Sequence, residues 1–244
     1  MSREHNRVMR WRDQDIIDSG FEWVAGGMRA EFPAQVSSFV PLGFAAYARL
    51  LHPLSCTDSA GDEVWLRWAD AARALGADVH RQMQLVAILS RPSGQDLRTS
   101  PPERRVPAGS WESQIPELAS ILGRHTSTPD DCYFAFWEGN SAFDDIAPET
   151  PKLTIQGMRF FVVKGPVVNA SSPFHGLSPT LWWPQDRAWL VATPDDFPCT
   201  YVGGDAKCIA DISRSRIFEA LPALPSDPVS AQSDTRNWIV DRPG

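Results

Sequence analysis

At 244 residues, 43% hydrophobic and 22% charged, the chain has the composition of a folded globular protein whose core is large enough to need no disulfide or metal staple. A formal net charge of −7 and a pI near 5.2 exclude a general nucleic-acid binder, which needs a basic face to neutralise phosphate. The longest aliphatic run, residues 85–89, falls far short of the roughly 20 apolar residues that cross a bilayer, so no membrane association is expected.

Residues 1–20 read as a polar N-terminal arm anchored by Trp11, Ile16 and Ile17. Its arginines Arg3, Arg7, Arg10 and Arg12 are followed by no apolar stretch, so it is not a secretory signal. The main domain is expected over 21–221. Phe21–Trp23 ahead of Ala25-Gly26-Gly27-Met28 reads as a strand entering a turn. The next predicted strand is 39–51, where Leu42, Phe44, Ala46, Ala48 and Leu50 alternate with Tyr47 and Arg49. A helix is predicted over 62–75, with Trp65, Trp68, Ala72 and Leu75 at steps of three and four and Gly76 at the C-terminal stop. Residues 83–90 suit either a buried strand or a helix end. The tract 91–110 is rich in Pro, Gly, Arg and Ser and buries too little to offset its ordering entropy; it is a lid over a site or a disordered excursion.

A helix follows over 113–123, closed by Gly123, and then a strand over 131–138 that is apolar on both faces, as a central strand must be. Another strand covers 158–164 up to Gly165-Pro166. The stretch 179–204 concentrates Trp182, Trp183 and Trp189, three of the ten tryptophans, around Pro184-Gln185-Asp186-Arg187. Pro184 and Pro194 bound a strand at 187–193, a second strand runs over 199–202, and a helix is expected over 205–221. The tail 222–244 is proline-rich, with Trp238-Ile239-Val240 docking back. The strands lack the regular βαβ beat of a doubly wound fold, so the expected class is α+β: one domain, a mainly antiparallel sheet and helices packed on it.

The blocks VPLGFAAYARLLHP, ILGRHTSTPDDCYFAFWEG, RFFVVKGPV and SPTLWWPQDRAWLVATPDDFPCTYVGG, spread from about residue 40 to residue 221, resemble those of a family of uncharacterised actinobacterial proteins. Pro194-Asp195-Asp196-Phe197 departs from that pattern, in which an acidic residue followed by Ile or Leu is expected. The resemblance implies a soluble bacterial protein and assigns no catalytic residue.

Chemistry is sparsely signalled. Cys56, Cys132, Cys199 and Cys208 have neither Cys-x-x-Cys spacing nor a histidine at ligand spacing; they read as reduced thiols of a cytoplasmic protein, with no metal and no cofactor expected. Among His5, His52, His80, His125 and His175 no pair has metal-site spacing, and no Gly-x-Ser-x-Gly is present. Gly203-Gly204 ahead of a helix is a weak anion signal, and Asp195, Asp196 and Asp205 are turn residues or an acid and base pair.

Two functional readings stay open. In the first the protein is a non-enzymatic binder of a protein or small-molecule partner, using a Trp-rich surface at Trp182 and Trp183, with Asp186 and Arg187 beside it. In the second it is a metal-independent small-molecule enzyme in which His52, His125 or His175 meets Asp186, Arg187 or Asp196 around one pocket. Full burial of the tryptophans would remove the first reading's surface; separated histidines would remove the second's constellation.

Overall fold

The computed structural model describes residues 11–30, 34–91, 109–195 and 197–238. In chain order these form helix α1 (Glu22–Gly27), strands β1 (Ala46–Leu51), β2 (Leu54–Thr57) and β3 (Glu63–Leu66), and helices α2 (Trp68–Ala74), α3 (Leu85–Leu89) and α4 (Trp111–Gly123). Strands β4 (Cys132–Trp137), β5 (Leu153–Ile155), β6 (Met158–Gly165), β7 (Leu181–Pro184), β8 (Leu190–Ala192) and β9 (Cys199–Gly204) follow, then helix α5 (Ala206–Arg214) and strand β10 (Glu219–Ala223). Eight strands make one sheet in the order β10-β1-β9-β8-β7-β4-β6-β5, while β2 and β3 pair as a separate hairpin. Every pairing is antiparallel, so the fold is α+β, as the spacing of strands and helices predicts.

Helices cover both faces of the sheet, and strand periodicity sorts the side chains between them. Phe134 and Phe136 of β4, Trp182 of β7, Val191 of β8 and Val202 of β9 join one core with α4 and α5. Their neighbours Tyr133, Ala135, Trp183, Leu190 and Tyr201 join the other, with α1, α2 and α3. The apolar-both-faces pattern of 131–138 therefore marks a central strand, flanked by β6 and β7.

Several predicted elements change. The strand expected to enter a turn at 21–28 is instead helix α1, which buries Val24 in the core beside Phe21. The 62–75 helix is a strand and then a helix: in β3 Val64 and Leu66 are buried while Glu63 is exposed, a period of two hidden inside the Trp65/Trp68 step. Helix α2 begins at Trp68 because the Glu219 carboxylate accepts the N–H groups of Trp68 (2.6 Å) and Ala69 (2.8 Å), a cap supplied from the far end of the chain. The 39–51 strand begins only at Ala46, after a left-handed Gly43 (φ +108°). The 187–193 strand shrinks to β8 because Arg187 is itself left-handed (φ +60°), and Trp182-Trp183 supplies the extra strand β7, of which Pro184 is the last residue. The 205–221 helix stops at Arg214, and its remainder becomes β10, whose Pro222 is tolerated on an edge strand. The 113–123 helix starts two residues earlier, at Trp111, and residues 85–89 are helical.

The described portions of the arm, 11–20, and of the tail, 222–238, are parts of the fold. Trp11 is 7% exposed and fills the space that Gly165 leaves: a Cβ there would lie 2.6 Å from the indole. Ile16 bridges Val163, and Ile17 N–H donates to Val162 O (2.8 Å), extending the sheet edge beside β6. In the tail, buried Asp234 accepts from Gln84 N (2.9 Å), Asn237 N (3.0 Å) and Asn237 Nδ2 (2.9 Å) and pairs with His80 Nε2 (2.9 Å). Gln84 in turn accepts from buried Arg49 Nη2 (3.1 Å), so the tail is wired to β1.

Candidate functional site

An antiparallel sheet places the C-terminal ends of alternate strands beside the N-terminal ends of their neighbours. At one end of this sheet that rule gathers His52 after β1, Trp137 closing β4, Thr193-Pro194 after β8, and Thr180 and Phe197 ahead of β7 and β9. Between them open two adjoining cavities of ≈ 350 Å³ and ≈ 390 Å³. Trp137, Thr180, Pro194, Asp195 and Phe197 belong to the walls of both, which makes them two chambers of one cleft. The first is polar, with His52, Asn140, Ser178 and Thr193; the second is apolar, with Met28, Phe39, Ile155, Met158 and Phe160.

Backbone bonds pin His52: its N–H donates to Pro198 O (3.0 Å) and its carbonyl accepts from Trp68 Nε1 (2.8 Å). The ring stacks on Trp111, with centroids 4.5 Å apart and planes at 13°. Its Nε2 bonds Thr200 Oγ1 (2.9 Å), which bonds Thr193 Oγ1 (2.8 Å) at the cavity wall. Burial, and then the positive charge of Arg49, push the imidazole down to about 3, so His52 is neutral at physiological pH. The polar chamber thus presents a neutral ring joined to two hydroxyls, able to donate or accept. Trp137 owes its place to Gly139, where any Cβ would overlap the indole.

Comparison with protein-family models, curated proteins and solved structures finds no match. What this chain does is therefore argued from the placement of its own residues.

Trp182, Trp183 and Trp189 are 2%, 0% and 0% exposed. They are core, not a binding surface, because alternation sends Trp182 into one core and Trp183 into the other. Trp189 is held by a hydrogen bond from its Nε1 to Leu122 O (3.0 Å). Asp186 and Arg187 form no anion clamp together. The Asp186 carboxylate accepts from Ser127 N (2.6 Å), Ser127 Oγ (2.8 Å), Thr126 Oγ1 (2.8 Å) and Ala188 N (3.1 Å). Burial opposes its charge, but these donors outweigh it and hold the carboxyl below the ordinary range. Arg187 turns away, over the Trp23 ring at 5.3 Å.

Nor do the described histidines converge. His125 Nε2 pairs with Asp211 (2.9 Å), joining the end of α4 to α5, and His175 Nε2 pairs with Asp13 (2.7 Å), clasping the N-terminal segment. Among the described histidines, only His52 lines the cleft. The helix start behind Gly203-Gly204 is filled by the Asp205 carboxylate, which accepts from Cys208 N (2.6 Å). Gly203 itself makes room for Phe44 and Val40. His5, Asp196, most of the 91–110 tract, and Ile239 and Val240 of the expected docking segment lie outside the described residues. Among the described residues no helix is long and apolar enough to cross a membrane.

Sequence reasoning passed over Trp111, Trp137, Asn140, Thr193 and Phe197. The available signal was position: Trp137 and Thr193 both end apolar runs immediately before a turn, where strand ends gather distant residues.

Proposed function

We propose that this chain is a small-molecule binding protein whose ligand is amphiphilic, with its polar end in the His52 chamber and its apolar end in the Phe39/Phe160 chamber. The observation that carries the reading is the shared wall: two chambers of opposite character meet at Trp137, Pro194 and Phe197. Their sizes suit such a ligand, since small-molecule sites are concave, a few hundred Å³ in volume and mostly apolar with a few placed polar groups. The binding reading thereby moves from Trp182 and Trp183 to the cleft at the end of the sheet. It is favoured over the enzyme reading because His52 sits in the cleft without His125, His175, Asp186 or Arg187.

The test uses N-phenyl-1-naphthylamine, a neutral fluorophore that brightens in apolar sites. It should saturate at one molecule per chain, and Met158→Glu, which sets a charge at a 44% exposed position on the apolar chamber, should weaken it about ten-fold. Fluorescence that never saturates, or that is indifferent to Met158→Glu, refutes the cleft as the binding site.

A further inference from the structure

Resting on that cleft reading, we infer that the ligand's polar end is a sugar ring. Three features of the polar chamber select an uncharged, hydroxyl-bearing head. First, no Lys or Arg stands among its described lining residues, so an anionic head meets no opposite charge there. Second, its carboxylates do not make a cation site: Glu112 is solvent-exposed on the first turn of α4, and Asp195 already interacts within the chain. Third, the remaining polar groups are neutral and together offer both donors and acceptors. Ser178 brings a hydroxyl that can donate and accept, and Thr193 brings one that already bonds Thr200 Oγ1 (2.8 Å) and keeps at least one lone pair for a ligand. Asn140 spends its Oδ1 on Ala142 N (3.0 Å) and keeps its amide N–H donors. His52 spends Nε2 on Thr200, and its other ring nitrogen has no hydrogen-bond partner among the described residues. The neutrality of His52 at physiological pH fits the same choice.

Such groups match an array of ring hydroxyls, each of which must both give and take a hydrogen bond to leave water without loss. The apolar C–H face of a sugar needs a flat aromatic platform, and Trp137 supplies one on the wall that the chambers share, half-buried and backed by Gly139. A chain attached to the sugar would pass this indole into the apolar chamber.

The experiment is calorimetric titration of the full chain with four eight-carbon probes, each below its micelle-forming concentration: octyl β-glucoside, octylammonium, octanoate and 1-octanol. The glucoside should bind about ten-fold more tightly than the other three. Ser178→Ala at the exposed rim and Thr193→Val in the wall should each weaken it roughly three- to ten-fold, the worth of one hydrogen bond, and leave octanol unchanged. Thermal unfolding of each variant shows that the fold persists, and Ser178→Ala carries the test if Thr193→Val does not fold. Octylammonium or octanoate binding as tightly as the glucoside overturns the sugar head while leaving the cleft standing. So does octanol matching it. Failure of all four to bind overturns the cleft reading itself, and the sugar head with it.

Discussion

Gly139 shows how a residue with no side chain shapes a site. Its φ is not in the left-handed region, so conformation does not require glycine; the Trp137 indole occupies the space a Cβ would take. Gly139→Ala should therefore displace a ring that lines both chambers, costing about 1–3 kcal/mol of stability from overpacking. The same substitution should weaken fluorophore binding at least as much as Met158→Glu does, and a variant with unchanged melting temperature and probe affinity would refute the role. His52 carries a pH signature. Because burial and Arg49 hold its folded-state pKa near 3 while an unfolded histidine titrates near 6.5, the unfolded chain takes up a proton that the folded chain refuses as pH falls. Stability is thus full above about pH 6.5 and declines below it, by about 2 kcal/mol between pH 7 and pH 5 from this residue. Urea unfolding of the wild type and of His52→Asn at both pH values isolates the effect, since the other histidines are common to both proteins. An equal pH dependence in the two would rule it out. None of this is legible from the sequence, where His52 is one histidine of five and looks no different from His125.

At the scale of elements, the tail is held by polar bonds more than by apolar burial. Asp234 is fully buried, and burial alone would raise its pKa; the N–H groups of Gln84 and Asn237 and the His80 ring outweigh that and hold it below the ordinary carboxylate range. The stability this provides is present above about pH 4 and is lost as pH falls through the depressed value. Asp234→Ala should cost about 2–4 kcal/mol by leaving several buried donors unpaired. Hydrogen exchange gives a local readout, because the amides of Gln84 and Asn237 donate to this carboxylate and should lose protection before those of β4 do. If β4 and the tail lose protection equally, the tail is not an element that can release separately. The sequence shows 222–244 as a proline-rich tail that docks back through Trp238-Ile239-Val240, but not its polar anchors, because their partners Asp78, His80 and Gln84 lie some 150 residues away. For the same reason β3 hides inside a helical pattern: the cap that starts α2 is Glu219, and propensity cannot see a partner so distant. Strands β4 and β6 were legible because dense apolar runs between turn residues leave a buried strand little alternative.

For the whole molecule, the two cores are the two sides of one sheet, joined residue by residue as Trp182 and Trp183 face opposite ways along β7. Neither side can melt and leave the other intact, so thermal unfolding followed by tryptophan fluorescence and by far-ultraviolet circular dichroism should give coincident transitions. Two separate midpoints would show that the faces are independent. The class α+β was readable from the spacing of apolar runs, whereas the strand order was not: which strands pair is decided by contacts that span most of the chain. That order has a consequence for synthesis. Strand β1 lies between β9 and β10, so both of its edges wait for residues roughly 150 positions further on, about 7 to 30 s at ribosomal rates of 5–20 residues per second. Through that interval the nascent chain carries an apolar strand with no neighbour on either side, and the sheet closes only after residues 199–223 leave the exit tunnel. A cell making this protein must shelter an early segment until a late one arrives.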